Sequence, residues 1–260
     1  MTRFALLTTT ALFASTAALS AAPAIGLSGD RTLVKFDTDT LTVSDMMEVT
    51  GVDSLVGIDF RPANETLIGV TPDNVVVTID PATGKATKLS TMKTPLPKSE
   101  APVIVDFNPM ADRLRYMTGT TNHRVNVDTG DVTVDGSLAF EQKDMHAGEA
   151  PEIVAAAYIN SYGKPDTTAM YDIDATIVAL IQQTSPNDGT LAAIGKLGVE
   201  DPGASYAFDI ATNADMENTA WLVNGNMLYE VSLETGKATG KGMIEGAVDQ
   251  IRDITVMPAM

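Results

Sequence analysis

Apolar positions along this chain come in short runs that alternate with polar ones, and clusters of turn residues separate the runs. GIDFRP at 57–62 is followed by Ala63-Asn64-Glu65, then TLIGV at 66–70. Thr71-Pro72-Asp73-Asn74 leads to VVVTI at 75–79, and Asp80-Pro81-Ala82-Thr83-Gly84 to KATKL at 85–89. Such Val-, Ile-, Leu- and Thr-rich runs between turn residues predict four antiparallel strands, and no long stretch carries a helical period. The closing turn returns as Asp128-Thr129-Gly130 and Glu234-Thr235-Gly236. Glycine suits those positions because a tight hairpin demands a positive φ.

The whole unit repeats. GIDFRP has counterparts in VDFNP at 105–109, FDIA at 208–211 and RDIT at 252–255, which align Asp59, Asp106, Asp209 and Asp253. A fifth member, AAAYIN at 155–160, has Ala157 in the Asp position and Tyr158 opposite Phe60 and Phe107. The resulting spacings of 47, 51, 52 and 44 residues match a propeller blade of four strands. IRDITVMP at 251–258 supplies a first strand with no chain left for the others, whereas residues 31–50 supply later strands without a first. Joining the two ends gives a composite blade that removes the open edges. The expectation is an all-β, five-bladed β-propeller in one domain, residues 25–260, with the remaining blades at 57–90, 105–138, 153–198 and 207–244. An open solenoid ranks second, since it has no need of complementary ends.

In that architecture the GIDFRP-type segment is the innermost strand of each blade, ending near Pro62 and Pro109. Alternation sets Ile58 and Phe60 on one face and Asp59 on the other. Asp59, Asp106, Asp209 and Asp253 are then either hydrogen-bond acceptors between blades or candidate ligands for a cation on the axis. A catalytic group is needed once rather than in every blade, so the structural role carries more weight.

Residues 1–24 read as a signal peptide, with Arg3, an apolar stretch from Phe4 to Leu19, and small residues through Ala22-Pro23-Ala24. Cleavage between Ser20 and Ala24 would release a periplasmic or secreted protein. No later apolar run is long enough to span a membrane. The chain has no cysteine, which excludes disulfides and a lipidated cysteine, and its core is large enough to fold without them. Losing residues 1–24 removes Arg3 and no acid, so the net charge moves from −17 to −18. That field repels nucleic acid, and it suits solubility or the attraction of cationic ligands.

LVGIDFRP, DFNPMADRLR, the SPNDGTL run at 185–191 and GASYAFDI at 203–210 resemble the exported bacterial family known as domain of unknown function 4394. The resemblance covers essentially the whole mature chain. It implies a propeller-like exported protein and carries over no catalytic residue. The fourth blade departs most from the repeat, through Ala157 and two extra loops near Ser161–Asp166 and Gln182–Gly189.

Nucleophile, zinc-protease and dinucleotide motifs are absent. GKATGKG at 236–242 has the wrong spacing for a phosphate loop and reads as a hairpin. His123 falls in a turn and His146 in a connection, and two imidazoles without thiolates make a poor zinc or copper site. Carboxylates are abundant. Loops leading into the first strands carry Asp53, Glu100, Glu141, Asp144, Glu149, Glu152, Glu200, Asp201 and Asp249, which predicts one acidic rim around the axial mouth. Oxygen-rich surroundings suit hard cations such as Ca²⁺. Asp128-Thr129-Gly130-Asp131 with Asp135 lacks the twelve-residue calcium pattern and reads as a turn.

The sequence therefore points to an exported binding or interaction module with a small polar or cationic ligand, or an envelope protein, as partner. The alternative is a carbohydrate-active or lactone-type hydrolase using paired axial carboxylates, although stacking aromatics are sparse. Trp221 in AWLV reads as packing between blades, while Tyr158 and Tyr162 stand in the fourth blade.

Overall fold

The computed structural model describes residues 23–199 and 205–257; within them lie twenty-one strands and no helix. Residues 1–22 of the predicted leader at 1–24 and the pair Glu200-Asp201 fall outside the described residues. The strands form five small sheets in a ring, the five-bladed propeller arrangement expected from the repeat. The first contains β1 (Pro23–Ser28), β2 (Thr32–Asp37), β3 (Val43–Glu48) and β21 (Ile251–Val256), in the order β21-β1-β2-β3. The second is β4 (Gly57–Arg61), β5 (Thr66–Val70), β6 (Val75–Ile79) and β7 (Ala86–Thr91). The third is β8 (Val103–Asn108), β9 (Arg113–Thr118), β10 (Thr121–Asn126) and β11 (Asp131–Val134). The fourth comprises β12 (Ala139–Phe140), β13 (Ile153–Tyr158), β14 (Met170–Asp174), β15 (Ala179–Ser185) and β16 (Thr190–Lys196). The fifth is β17 (Tyr206–Thr212), β18 (Asn218–Asn224), β19 (Met227–Val231) and β20 (Ala238–Met243).

Three details differ from the sequence expectation. β1 occupies residues just before the expected 31–50 segment. Ala24 is buried and faces Phe36 on one side and Val256 on the other. Pro23 is tolerated there as the first residue of a strand. Residues 182–185 belong to β15 rather than to an inserted loop, because the β15–β16 hairpin extends outward and gains β12 as a parallel fifth strand. His123 lies in the middle of β10 and is buried, since the turn falls earlier, at Gly119 and Thr120.

β4, β8, β13, β17 and β21 touch one another in sequence around the axis. Alternation along the strands sends side chains to both neighbouring sheets, so the core is divided into five layers between blades. Ile68 and Val70 pack against Phe107 and Leu114 of the third sheet, whereas Leu67 packs with Ile25 and Leu33 of the first. Trp221 joins Phe36, Ile244 and Ile254 between the fifth and first sheets, as its place in AWLV suggested.

The rim of the ring is stapled by the closing turns. Gly84, Gly130 and Gly236 all have positive φ and press against the backbone of the preceding sheet. A Cβ on Gly130 would stand 2.0 Å from the carbonyl oxygen of Thr91, while Lys93 N–H donates to the Gly130 carbonyl at 2.9 Å. Gly148 also has positive φ but has nothing within 4 Å of a Cβ. Gly148→Ala is therefore expected to cost about 1 kcal/mol from backbone strain alone. Gly130→Ala adds a backbone collision and should lose on the order of 3 kcal/mol. Urea denaturation of both variants checks this, and equal losses would refute the close approach.

Candidate functional site

The innermost strand of a blade has no strand beside it on the axial side, so its N–H groups need acceptors from elsewhere. Asp59 supplies one. Its Oδ2 accepts from Phe107 N–H of the next sheet at 2.6 Å, and its Oδ1 accepts from its own neighbour Phe60 at 2.7 Å. Asp106 repeats the bridge, accepting from Tyr158 N–H at 3.1 Å. Asp209 does so through Val256 N–H at 2.6 Å, with Ile210 N–H at 2.6 Å as its local donor.

The register of β21 resolves the fourth candidate. Where the preceding blade offers an acceptor, the residue after the anchor donates to it, and in β21 that donor is Val256. Thr255 therefore stands in the anchor position. Its Oγ1 accepts from Phe60 N–H at 3.1 Å and donates to Asp59 Oδ1 at 2.9 Å. Asp253 lies one strand step earlier on the same face, where its Oδ2 accepts from Ile58 N–H at 2.7 Å. The ring thus reads Asp59, Asp106, Ala157, Asp209, Thr255. Asp253 borders a second small cavity with Arg252, whose guanidinium donates to the Leu55 carbonyl at 2.6 Å.

Asp59, Asp106 and Asp209 converge: one carboxylate oxygen from each lies within 4.8 Å of the others, and all three side chains are buried. Beside them is a cavity with room for about one water molecule, bordered also by Ser161, Thr212 and Thr255. Among the described residues, Asp106 accepts a single side-chain hydrogen bond, against three for Asp59 and two for Asp209. Burial pushes the Asp59 carboxyl well above its ordinary range, reinforced by the charge of Asp209 and opposed by its N–H donors. Asp106 is raised likewise by burial and then by Asp59 and Asp209. Burial lifts Asp209 to about 6, and lifts Asp253 to about 7 against its own hydrogen bond from Ile58. Three buried carboxyls with these neighbours must share protons or a cation. All the donors are oxygen, which suits hard ions. A glycosidic bond does not fit beside them, because paired-carboxylate hydrolysis needs a cleft that admits a sugar ring.

The rim candidates do not gather into one site. Asp53 and Asp73 border a groove where the loop before β4 meets the β5–β6 turn. Asp144 instead fastens its loop by accepting from Ala193 N–H at 2.8 Å. His146 is paired with Glu149 at 2.9 Å and tilted against Phe140. Asp128, Asp131 and Asp135 are held in ion pairs by Arg61, Lys93 and Arg115, so the turn they flank is no cation loop.

Residues 32–255 match the profile of the family described as Domain of unknown function (DUF4394), so the chain belongs to that family. No curated protein matches it. Among solved structures, a protein of unknown function from Bacteroides caccae aligns at 11% identity and TM-score 0.44, over 85% of this chain and 72% of that one. An auxiliary nutrient binding protein from Bacteroides ovatus aligns at 12% and TM-score 0.46, over 76% of this chain and 55% of that one. Another auxiliary nutrient binding protein, from Bacteroides thetaiotaomicron, aligns at 14% and TM-score 0.44, over 76% of this chain and 51% of that one. The chain thus spans about half the length of the latter two. Likeness at this level carries no inference about ligand or activity.

A raised carboxyl binds its proton more tightly when folded, so its contribution to stability is complete below the unfolded value and fades as pH climbs to the folded one. For Asp209 that window ends near 6, for Asp253 near 7, and for buried Asp172 near 8. His123, lowered by burial, works in the opposite sense but is a single group. In EDTA the melting temperature should therefore fall by several degrees between pH 5 and pH 8. Asp172→Asn should flatten part of the slope, because the amide keeps a bond to Gln183 without ionising. A melting temperature that rises over this interval would contradict the assignment.

Proposed function

We propose that this member of the DUF4394 family is an exported binding module that holds a hard divalent cation, Ca²⁺ foremost, on its propeller axis. One observation carries the reading: three buried carboxylates from three different blades converge within 4.8 Å. No lysine or arginine forms a salt bridge with any of them among the described residues. Oxygen donors of this kind select Ca²⁺, Mg²⁺ or Mn²⁺ over softer metals. Ca²⁺ tolerates irregular geometry best, and here the carboxylate positions are fixed by backbone hydrogen bonds rather than by an ion. Asp106 also retains more acceptor capacity than its two partners.

In this reading the cation neutralises the axis and fixes the blades against one another, and the rim meets partners in the periplasm or outside the cell. The acidic leader-free chain attracts small cationic and polar ligands and repels nucleic acid. Signal cleavage ahead of Pro23 leaves β1 whole, including buried Ala24. A hydrolase built on these carboxylates has less support, since the cavity beside them has room for about one water molecule.

Thermal melts in EDTA, then with Ca²⁺, Mg²⁺ and Mn²⁺, test the proposal. A cation at a hundredfold excess over its Kd adds about 2.7 kcal/mol, which shifts the melt by several degrees. Asp106→Asn should abolish that rise while melting in EDTA no lower than the wild type, because it removes one of three repelling carboxyls and keeps an acceptor for Tyr158 N–H. No response to any of the three cations refutes the axial site.

A further inference from the structure

A cleft of about 360 Å³ opens between the third and fourth sheets, far enough from the axial cavity to share none of its residues. Its volume is that of a small-molecule site. The lining is unusual for a chain with a net charge of −17, because no charged side chain contributes to it. Four carboxamides do: Asn108, Gln182, Gln183 and Asn187, with the half-exposed Met110 offering apolar surface.

The floor is held in place before any ligand arrives. Arg115, fully buried and paired with Asp135 at 2.7 Å, donates to Tyr158 Oη at 3.1 Å and to Asn187 Oδ1 at 3.4 Å. Gln183 Nε2 donates to both oxygens of Asp172, at 3.1 and 2.9 Å. That leaves Gln183 Oε1 buried without a partner. Turning the amide over would exchange the orphan for Nε2, so one end of this group lacks a partner in either orientation. At the lip, Gln182 makes no side-chain hydrogen bond among the described residues, and Asn187 offers its amide nitrogen in the same way.

We propose that this cleft binds a neutral polyhydroxylated small molecule, a monosaccharide or sugar alcohol. Gln182 presents a free donor and a free acceptor together, and Asn187 adds a free amide donor, a set that the hydroxyls of a polyol complement. Met110 can meet the C–H face of such a ligand. An anion would find no cation free to receive it, because Arg115 is already fully engaged. A cationic ligand would find no carboxylate in the lining.

The test is titration of the full mature protein with glucose, galactose, mannose and sorbitol, followed by calorimetry and saturation-transfer NMR. Thermal melting is unsuitable here, because sugars raise the stability of proteins generally through exclusion from the surface. At least one of these ligands should saturate the protein at or below about 1 mM. Gln182→Ala and Asn187→Ala should weaken that binding tenfold or more, with circular dichroism unchanged for Gln182→Ala. Glucuronate should bind at least tenfold more weakly than the best neutral sugar. Titrations in EDTA and in Ca²⁺ should agree, which separates this outcome from that of the axial site. The proposal is overturned if nothing in the panel saturates by about 10 mM, if both variants bind as the wild type does, or if glucuronate binds equally well.

Discussion

A carboxylate on one innermost strand, reaching across to a backbone N–H on the next, is the contact that holds this ring together. Each inner strand is a sheet edge whose polar groups face the axis without a strand to pair with. Phe107, Tyr158 and Val256 donate to Asp59, Asp106 and Asp209, and Phe60 donates to Thr255. This fixes the parity of every inner strand. The acceptor must point toward the following blade, so the residues on either side must point the other way, into the apolar layer shared with the preceding blade. Ile58 lies in the layer with Ile25 and Leu27 for that reason, and Phe107 in the layer with Val70 and Met92.

The same solution concentrates negative charge where water is scarce. A ring of five carboxylates would raise every pKa by mutual repulsion as well as by burial. The chain stops at three, with Ala157 and Thr255 in the other two positions. Thr255 keeps the acceptor and gives up the charge, and it donates its own proton to Asp59. Ala157 gives up both, and the following stretch compensates differently: Ser161 N–H finds Thr212 Oγ1 and Asn160 N–H finds Asn218 Oδ1. Electrostatics thus accounts for why a structural repeat is interrupted twice, and why the remaining carboxylates form one cluster rather than a full circle.

Most of the architecture was legible because the repeat is carried by local chemistry. Turn glycines, strand lengths and the inner Asp recur at spacings a reader can align. What escaped was register at the chain's end. RDIT offers an aspartate in the expected context, yet proline is the better guide: Pro62 and Pro109 lie three residues after their anchors, and Pro258 lies three after Thr255. His123 was misplaced because Asn122-His123-Arg124 carries no apolar pattern, although Arg115 and Asp135 bury this polar run against the fourth sheet. The carboxamide-lined cleft gave no signal, since Asn108, Gln182 and Asn187 come from two blades and a hairpin turn, and each alone is an ordinary surface residue.

Repetition also indicates where in such a fold specificity can arise. A group that appears in nearly every blade answers a demand that every blade makes, and the axial carboxylates answer one: unpaired N–H groups on inner strands. A ligand other than a bare ion makes demands that differ from one side of the ring to another. Only a departure from the repeat supplies such asymmetry. The third and fourth sheets have it, with an extended β15–β16 hairpin, the added strand β12, and a fully buried arginine tied into a polar network between them. Keeping Arg115 there requires Asp135, Tyr158, Asn122 and Asn187 as partners. That polar network is more than blade packing needs, because an apolar layer of the same volume would hold the sheets together without the desolvation of a guanidinium. At this irregular junction the network gives the proposed polyol cleft a rigid wall, set beside the axis rather than on it.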